Sequence, residues 1–190
     1  MRVVFVILCL LGIALMAGCQ PAAPPVSVSN RPLSNNRMPR TNLPMPPTKP
    51  VEKLGWILFD GGEKKLLEEY KGRVLILDFW ATYCPPCIEA IPHLRALDKK
   101  YGDELVVVGL HVGGEDDRPS VAGFKERLTI DYPIATPEDE LTYSLLGTDN
   151  RIPQTIIFDR EGKQVEKFVS YNADIQKRID LAVEKTVNKK

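Results

Sequence analysis

The chain has 190 residues, enough for one domain with additional segments, and its hydrophobic content of 44% is typical of a soluble globular protein. The formal net charge is zero, but every Asp and Glu lies after residue 51. That part of the chain contains 20 basic and 25 acidic residues. A mildly acidic domain without a basic stripe does not favour nucleic-acid binding, so we expect no nucleic-acid partner.

The N-terminus is predicted to be an export signal. Met1-Arg2 precedes an almost wholly apolar run over 3–17, which has the length of a signal-peptide core and is short for a membrane span of ~20 residues. The run ends in Leu15-Met16-Ala17-Gly18-Cys19, which resembles a bacterial lipobox. That resemblance implies a lipoprotein signal peptide over 1–18 and lipidation of Cys19. An ordinary signal peptide and an uncleaved anchor are the alternatives.

Residues 19–50 are predicted to form a lipidated, disordered tether. Segment 20–50 holds nine of the sixteen prolines and no acidic residue. Such a composition buries little apolar surface and favours extended, solvated backbone. We therefore expect a protein of the bacterial cell envelope, lipid-anchored to a membrane, with a folded domain over 51–190 in the periplasm or extracytoplasmic space.

The folded domain begins with alternating structure signals. Segments 57–60 and 64–66 flank Gly61-Gly62 and indicate a short hairpin. The apolar run 74–79 predicts a strand that is buried on both faces. A helical stripe of apolar residues then covers about 85–101, and Pro92 is expected to kink that helix.

The second half predicts another strand over 105–112, a helical insertion, and a final hairpin and helix. The insertion, 113–147, contains helices over 120–128 and 138–146, and the last elements are strands over 155–158 and 163–169 and a helix over 174–187. The order β-α-β, helices, β-β-α predicts an α/β fold with a mixed sheet flanked by helices.

One cysteine pair lies in the folded part, as Cys84-Pro85-Pro86-Cys87, between the buried strand and the helix. A helix N-terminus presents unpaired N–H groups and partial positive charge, which stabilise a thiolate. The spacing allows the second cysteine to close onto a mixed disulfide. C-x-x-C is also half of a zinc site, but no second pair exists and neither His93 nor His111 has metal-site spacing, so we expect no metal.

The segment from Asp78 to Cys87, with Pro92 after it, resembles the active-site segment of the thioredoxin superfamily. Arg151-Ile152-Pro153-Gln154-Thr155 resembles the cis-proline loop of that family. The N-terminal hairpin and the 113–147 insertion resemble the membrane-anchored TlpA/ResA-like branch. The resemblance covers roughly residues 55–187 and implies a thioredoxin fold.

The resemblance also implies roles for individual residues. Cys84 is the expected nucleophile, Cys87 the resolving thiol, and Asp78 the buried acid that relays a proton to or from Cys87. Substrate-binding positions are expected at Trp80, Tyr83, Pro85, Pro86, Ile152 and Pro153. Pro153 is expected to be cis, and the Ile152 backbone to pair with an extended substrate segment.

The sequence departs from the family pattern at two places. Tyr83 stands where Trp is common before the first cysteine. ResA-like proteins often carry Glu three residues after the second cysteine, where this chain has Ala90, with Glu89 one residue early. His93 and His111 are expected to be surface or structural residues.

The predicted function is an extracytoplasmic thiol–disulfide oxidoreductase that needs no cofactor. Its expected partners are exported thiol or disulfide proteins, such as apocytochrome c, a membrane-embedded electron donor or acceptor, and the membrane through the lipid anchor. We expect a monomer. The alternatives are a copper metallochaperone with a thioredoxin fold and a peroxiredoxin-like peroxidase, although the residue pattern of a peroxidase is missing here.

Overall fold

The computed structural model describes residues 37–38 and 48–189. The predicted signal peptide, Cys19 and most of the predicted tether lie outside the described residues. Within the described part, no helix combines the length and the apolarity needed to cross a membrane.

Residues 48–189 form seven strands and four α-helices. The strands are β1 (Gly55–Leu58), β2 (Lys64–Leu66), β3 (Val74–Trp80), β4 (Leu105–His111), β5 (Ile134–Pro137), β6 (Gln154–Phe158) and β7 (Gln164–Val169). The helices are α1 (Pro85–Tyr101), α2 (Val121–Arg127), α3 (Asp139–Leu146) and α4 (Ala173–Val187).

The strands make one mixed sheet in the order β2-β1-β5-β4-β3-β6-β7. Strands β3, β4 and β5 are parallel, whereas β6 is antiparallel to β3 and β7 to β6. The N-terminal hairpin extends the other side of the sheet, where β1 pairs antiparallel with β5. The predicted α/β class with a mixed sheet is thereby confirmed.

Strand β3 lies inside the sheet, between β4 and β6, and all seven of its residues are buried. Because side chains alternate along a strand, Val74 and Ile76 belong to one core cluster, and Leu75 and Leu77 to the other. The first cluster contains both cysteines of the C-x-x-C pair. The even-numbered face of β3, which also carries Asp78, is therefore the face of the active-site segment.

The two helices predicted in the insertion are present as α2 and α3, and β5, which the sequence did not predict, lies between them. This strand runs parallel to β4 through Gly109 and Leu110 and is flanked by β1 on its other side. Its four residues end in a proline and carry no alternating pattern, so its strand conformation comes from pairing with two neighbours.

Helix α1 continues on both sides of Pro92.

Two residues within the predicted tether, Arg37 and Met38, contact the folded domain. Arg37 forms an antiparallel bridge with Arg151, and the Met38 N–H donates to the Asn150 carbonyl at 2.9 Å. The Met38 side chain is half-buried and packs against both core clusters. These contacts satisfy backbone groups and bury apolar surface, which a solvated linker does not do.

Candidate active site

The C-x-x-C pair lies where β3 gives way to α1. The turn Ala81-Thr82-Tyr83-Cys84 joins them, closed by a hydrogen bond from the Cys84 N–H to the Ala81 carbonyl at 3.3 Å. Cys84 is the N-cap of α1, and its sulfur accepts from the Cys87 N–H at 3.3 Å. The two sulfurs form a disulfide with a length of 2.11 Å. The helix N-terminus thus points a backbone donor at the predicted nucleophile.

The surroundings of the disulfide differ in exposure. Cys84 and Cys87 are both 0% exposed, whereas Pro85 is exposed and Tyr83 and Pro86 are half-buried. A sulfur nucleophile must reach one of these sulfurs for exchange to occur. Local movement of the turn or of the segments around it must therefore precede exchange in this disulfide form.

Asp78 is fully buried beneath this segment. Its Oδ1 accepts a hydrogen bond from the Thr155 hydroxyl at 2.8 Å, and its Oδ2 has no hydrogen-bond partner among the described residues. Burial raises the pKa of Asp78 from 3.8 to about 7, against the lowering effect of the Thr155 hydrogen bond. A carboxyl group with a pKa near neutrality can both accept and release a proton, as the expected relay requires.

Trp80 belongs to the core. Its indole is 1% exposed, stacks on Phe124 with ring centroids 5.0 Å apart, and meets the His111 ring edge-on at 5.5 Å. Its predicted role in substrate binding stays a prediction, because the indole is buried in this conformation. The expected core-filling contribution beside the disulfide fits its place in the same cluster as both cysteines.

The Ile152–Pro153 peptide bond is cis in this structure. The Pro153 carbonyl accepts from the Ser170 N–H at 2.8 Å, and the Gln154 side-chain amide donates to the Asp149 and Arg151 carbonyls, both at 2.8 Å. The Ile152 and Pro153 side chains are buried. Hydrogen bonds thus hold the loop on both sides of the cis bond, and the Ile152 backbone stays the expected substrate contact.

Arg37 and Met38, which we call the N-terminal strap, lie against this loop. Besides the pairing with Asn150 and Arg151, the Arg37 carbonyl accepts from the Tyr83 hydroxyl at 3.1 Å. The strap therefore bridges the residue before Cys84 and the residue before Ile152. Two predicted substrate-binding regions are joined by a piece of the predicted tether.

A cavity of about 850 Å³ lies beside the strap and the loop that follows α3. Neither cysteine lines it. Its walls come from the strap, the end of β4, the insertion and the loop after α3, including Arg37, Met38, His111, Arg118, Tyr143 and Asn150.

The structure also shows a buried polar group that sequence reasoning did not identify. The Asp117 carboxylate accepts from the Thr82 N–H at 2.9 Å, from the Thr82 hydroxyl, and from His111 Nε2 at 2.9 Å. Asp117 and His111 are 5% and 4% exposed. No spacing in the sequence signals this group, because Thr82 and Asp117 are 35 residues apart.

The second histidine has a structural position. The His93 ring forms a hydrogen bond with the Asp180 carboxylate at 2.8 Å and lies near the Tyr171 ring. These contacts link α1 to α4 and to the segment before α4. Among the residues that the structure describes, no group of three or more His, Cys, Asp or Glu side chains is arranged to hold a metal ion.

Comparison with known proteins finds relatives that include a thioredoxin-like protein and thiol–disulfide oxidoreductases. The Redoxin family model matches residues 34–181. Thioredoxin-like protein YneN of Bacillus subtilis is 28% identical over 125 residues, which cover 63% of this chain and 71% of YneN. Thiol-disulfide oxidoreductase ResA of Bacillus cereus is 27% identical over 110 residues, which cover 57% of this chain and 61% of ResA.

A solved structure shares the fold. A thiol:disulfide interchange protein DsbE from Chlorobium tepidum superimposes with a TM-score of 0.63 at 20% identity, covering 73% of this chain and 96% of that one. The thioredoxin fold is thereby confirmed. The chain belongs to the Redoxin family, has the thioredoxin fold and is similar to thiol–disulfide oxidoreductases of the ResA type.

Proposed function

We propose that this chain is an extracytoplasmic thiol–disulfide oxidoreductase in which Cys84 and Cys87 exchange a dithiol and a disulfide with exported proteins. The observation that carries the proposal is the Cys84–Cys87 disulfide at the N-terminus of α1, with the Cys84 sulfur accepting from a helix N–H. Such a position stabilises a thiolate by the helix field and by a direct hydrogen bond.

The exchange proceeds in two balanced steps. In the reduced protein, the Cys84 thiolate attacks a client disulfide, forms a mixed disulfide, and releases the second client sulfur as a thiolate that takes up a proton. Cys87 then loses its proton to the Asp78 carboxylate and attacks the Cys84 sulfur, which frees the first client sulfur. The client gains two electrons, and the Cys84–Cys87 disulfide forms. Client oxidation is the same sequence in reverse.

The proposed client site is the backbone edge at Ile152. The strap supports this assignment, because the neighbouring residues Asn150 and Arg151 already pair with an extended piece of chain. Backbone pairing provides affinity without demanding one client sequence. Tyr83, Pro85 and Pro86, which are at least partly exposed, would flank the bound client.

The N-terminal sequence supports a proposal for the location of the protein. We propose that the chain is exported, lipidated at Cys19 and held at a membrane of the bacterial envelope, as a monomer. A membrane-embedded donor or acceptor would then restore the working redox state of the pair, and apocytochrome c is a candidate client. One solved structure with the same fold is that of an exposed lipoprotein thioredoxin from Streptococcus pneumoniae, which supports a lipid-anchored location.

The test is a trap with two matched variants, each of which keeps one thiol of the pair. Cys87→Ser should accumulate mixed disulfides through Cys84, because the resolving step is lost. Cys84→Ser should trap nothing and should abolish insulin reduction by dithiothreitol-recycled protein. Mass spectrometry of the trapped complexes identifies the clients, and the reduction potential of the pair gives the direction of electron flow.

Two outcomes would overturn the proposal. Complexes that form through Cys87 would reverse the assigned roles. Tight, stoichiometric Cu(I) binding by the reduced protein, without any disulfide reductase activity, would favour the metallochaperone alternative instead.

A further inference from the structure

The turn that carries Cys84 is held from outside by a carboxylate. In the turn Ala81–Cys84, the Cys84 N–H bonds the Ala81 carbonyl, which leaves the Thr82 N–H without a partner inside the turn. Asp117 supplies that partner through Oδ2 at 2.9 Å and also accepts from the Thr82 hydroxyl. One side chain from the insertion therefore accepts from both hydrogen-bond donors of the residue two positions before the nucleophile.

The carboxylate is itself held by His111. This residue ends β4 and lies opposite Trp80 in the sheet, and its Nε2 lies 2.9 Å from Asp117 Oδ2. Burial lowers the pKa of His111, against the opposing effect of Asp117, so the ring is neutral at pH 7 and donates through Nε2. The three donors from Thr82 and His111 lower the pKa of Asp117 despite its burial, so the carboxylate is charged.

The contacts among Asp117, Thr82 and His111 require a glycine at position 113. A Cβ atom at Gly113 would lie 2.2 Å from Asp117 Oδ2 and 2.6 Å from His111 Nε2. Contacts of that length do not occur, and the Asp117 carboxylate cannot swing away without breaking its hydrogen bonds to Thr82. Any side chain at position 113 is therefore incompatible with the group as observed.

We propose that Asp117 is a positioning residue for thiol–disulfide exchange: supported by His111, its carboxylate fixes the Thr82 turn that presents Cys84 and places a permanent negative charge near that sulfur. The inference rests on the proposed function, since it assigns Asp117 a role toward its nucleophile. Asp117 does not touch the reacting sulfurs in this role. It acts through the backbone and hydroxyl of Thr82.

The charge and the geometry have separate consequences. Two residues of chain span at most about 7 Å, and the hydrogen bond and the cysteine side chain add about 3 Å each, so the carboxylate bound to Thr82 lies within about 13 Å of the Cys84 sulfur. A negative charge at that distance opposes the helix field and disfavours the thiolate. The hydrogen bonds to Thr82, in contrast, restrict the direction in which the sulfur is presented.

The experiment uses the full chain with Cys87→Ser, so that Cys84 is the only thiol of the pair. Asp117→Asn should lower the thiol pKa of Cys84 by about one unit and raise its alkylation rate by iodoacetamide up to about tenfold at a pH below that pKa. The thiol pKa is read from the thiolate absorbance at 240 nm across pH. Asp103→Asn, which removes an exposed carboxylate after α1, is the matched control and should match the parent.

A second pair of variants tests the geometry while keeping the charge. Thr82→Val removes the hydroxyl donor with little change in shape and should slow exchange with a model disulfide severalfold. Thr82→Ser keeps that donor and should restore the parent rate. A structural role alone would alter unfolding but would not produce this rescue or shift the thiol pKa.

The proposal is overturned if Asp117→Asn has the thiol pKa and alkylation rate of Asp103→Asn, or if Thr82→Val and Thr82→Ser exchange equally fast. If Asp117→Asn does not fold, the Thr82 pair decides the outcome. These measurements need no natural client. A failed client trap together with a shifted Cys84 pKa would therefore contradict the proposed function and leave the positioning role of Asp117 intact.

Discussion

The Thr155 hydroxyl donates to Asp78 across the pairing of β3 and β6, and this single bond at 2.8 Å is the one hydrogen bond from a side chain to that carboxyl group among the described residues. The other Asp78 oxygen has no partner there. A fully buried carboxyl with one donor is poorly compensated when it is charged. Its raised pKa therefore affects both the stability of the protein and its chemistry.

Asp78 should make the oxidised protein less stable as the pH rises from about 4 to 7. The folded state keeps the Asp78 proton up to a pKa of about 7, whereas the unfolded chain releases it near 3.8. The folded state thus binds more protons in that window, and the free energy of unfolding falls by up to about 4 kcal/mol before it levels off above pH 7. Asp78→Asn should lose this slope.

Urea unfolding of the parent and of Asp78→Asn at several pH values between 4 and 8 measures the difference between the two curves. Asp103→Asn serves as the control and should follow the parent, because its side chain is exposed. Parallel curves for the parent and Asp78→Asn would show that Asp78 does not carry the predicted proton.

The same substitution should slow the second step of exchange. Since the carboxylate is the base that takes the Cys87 proton, the resolution of a preformed mixed disulfide should speed up as the pH rises through about 7 in the parent. In Asp78→Asn, resolution should be about 100-fold slower above pH 7 and should lack that inflection. Quenched-flow measurement of client release from the mixed disulfide isolates this step. A variant that tracks the parent at every pH would exclude the relay.

The sequence predicts those parts of the site that depend on residues close together in the chain. The strand before Cys84 and the helix after Cys87 follow from neighbouring residues, whereas the cis loop at Pro153 was expected from the family resemblance. Strand β5 was missed because its conformation depends on β1 and β4. The bond between Asp117 and Thr82 joins residues 35 positions apart through a folded sheet, so no spacing rule indicates it.

The contacts of the strap also depend on residues that are distant in the sequence. Its composition predicts solvated chain, because a segment with few apolar residues buries little surface by itself. The backbone edge of Asn150 and Arg151 is a partner that only the fold creates.

Gly109 should tolerate no side chain. A Cβ atom there would lie 2.9 Å from Trp80 Nε1 and 3.1 Å from Tyr132 Cε2, and both rings are buried. Gly109→Ala should therefore lower the free energy of unfolding by about 1–3 kcal/mol through overpacking. Gly123 in α2 has nothing within 4 Å of such a Cβ atom, so Gly123→Ala should raise it by about 0.5–1 kcal/mol. Chemical denaturation of both variants measures the two shifts, and a destabilised Gly123→Ala would contradict the helix argument.

Release of the strap should ease client binding. The Met38 N–H donates to the Asn150 carbonyl, and Arg37 occupies the edge of Arg151, next to the proposed client site at Ile152. Met38→Pro removes that donor in the full chain, whereas Met38→Leu keeps it together with a side chain of similar size. If the client and the strap compete for this edge, Met38→Pro should lower the KM for reduction of a peptide disulfide severalfold with little change in kcat, and Met38→Leu should resemble the parent. An unchanged KM in Met38→Pro would mean that the client docks without displacing the strap.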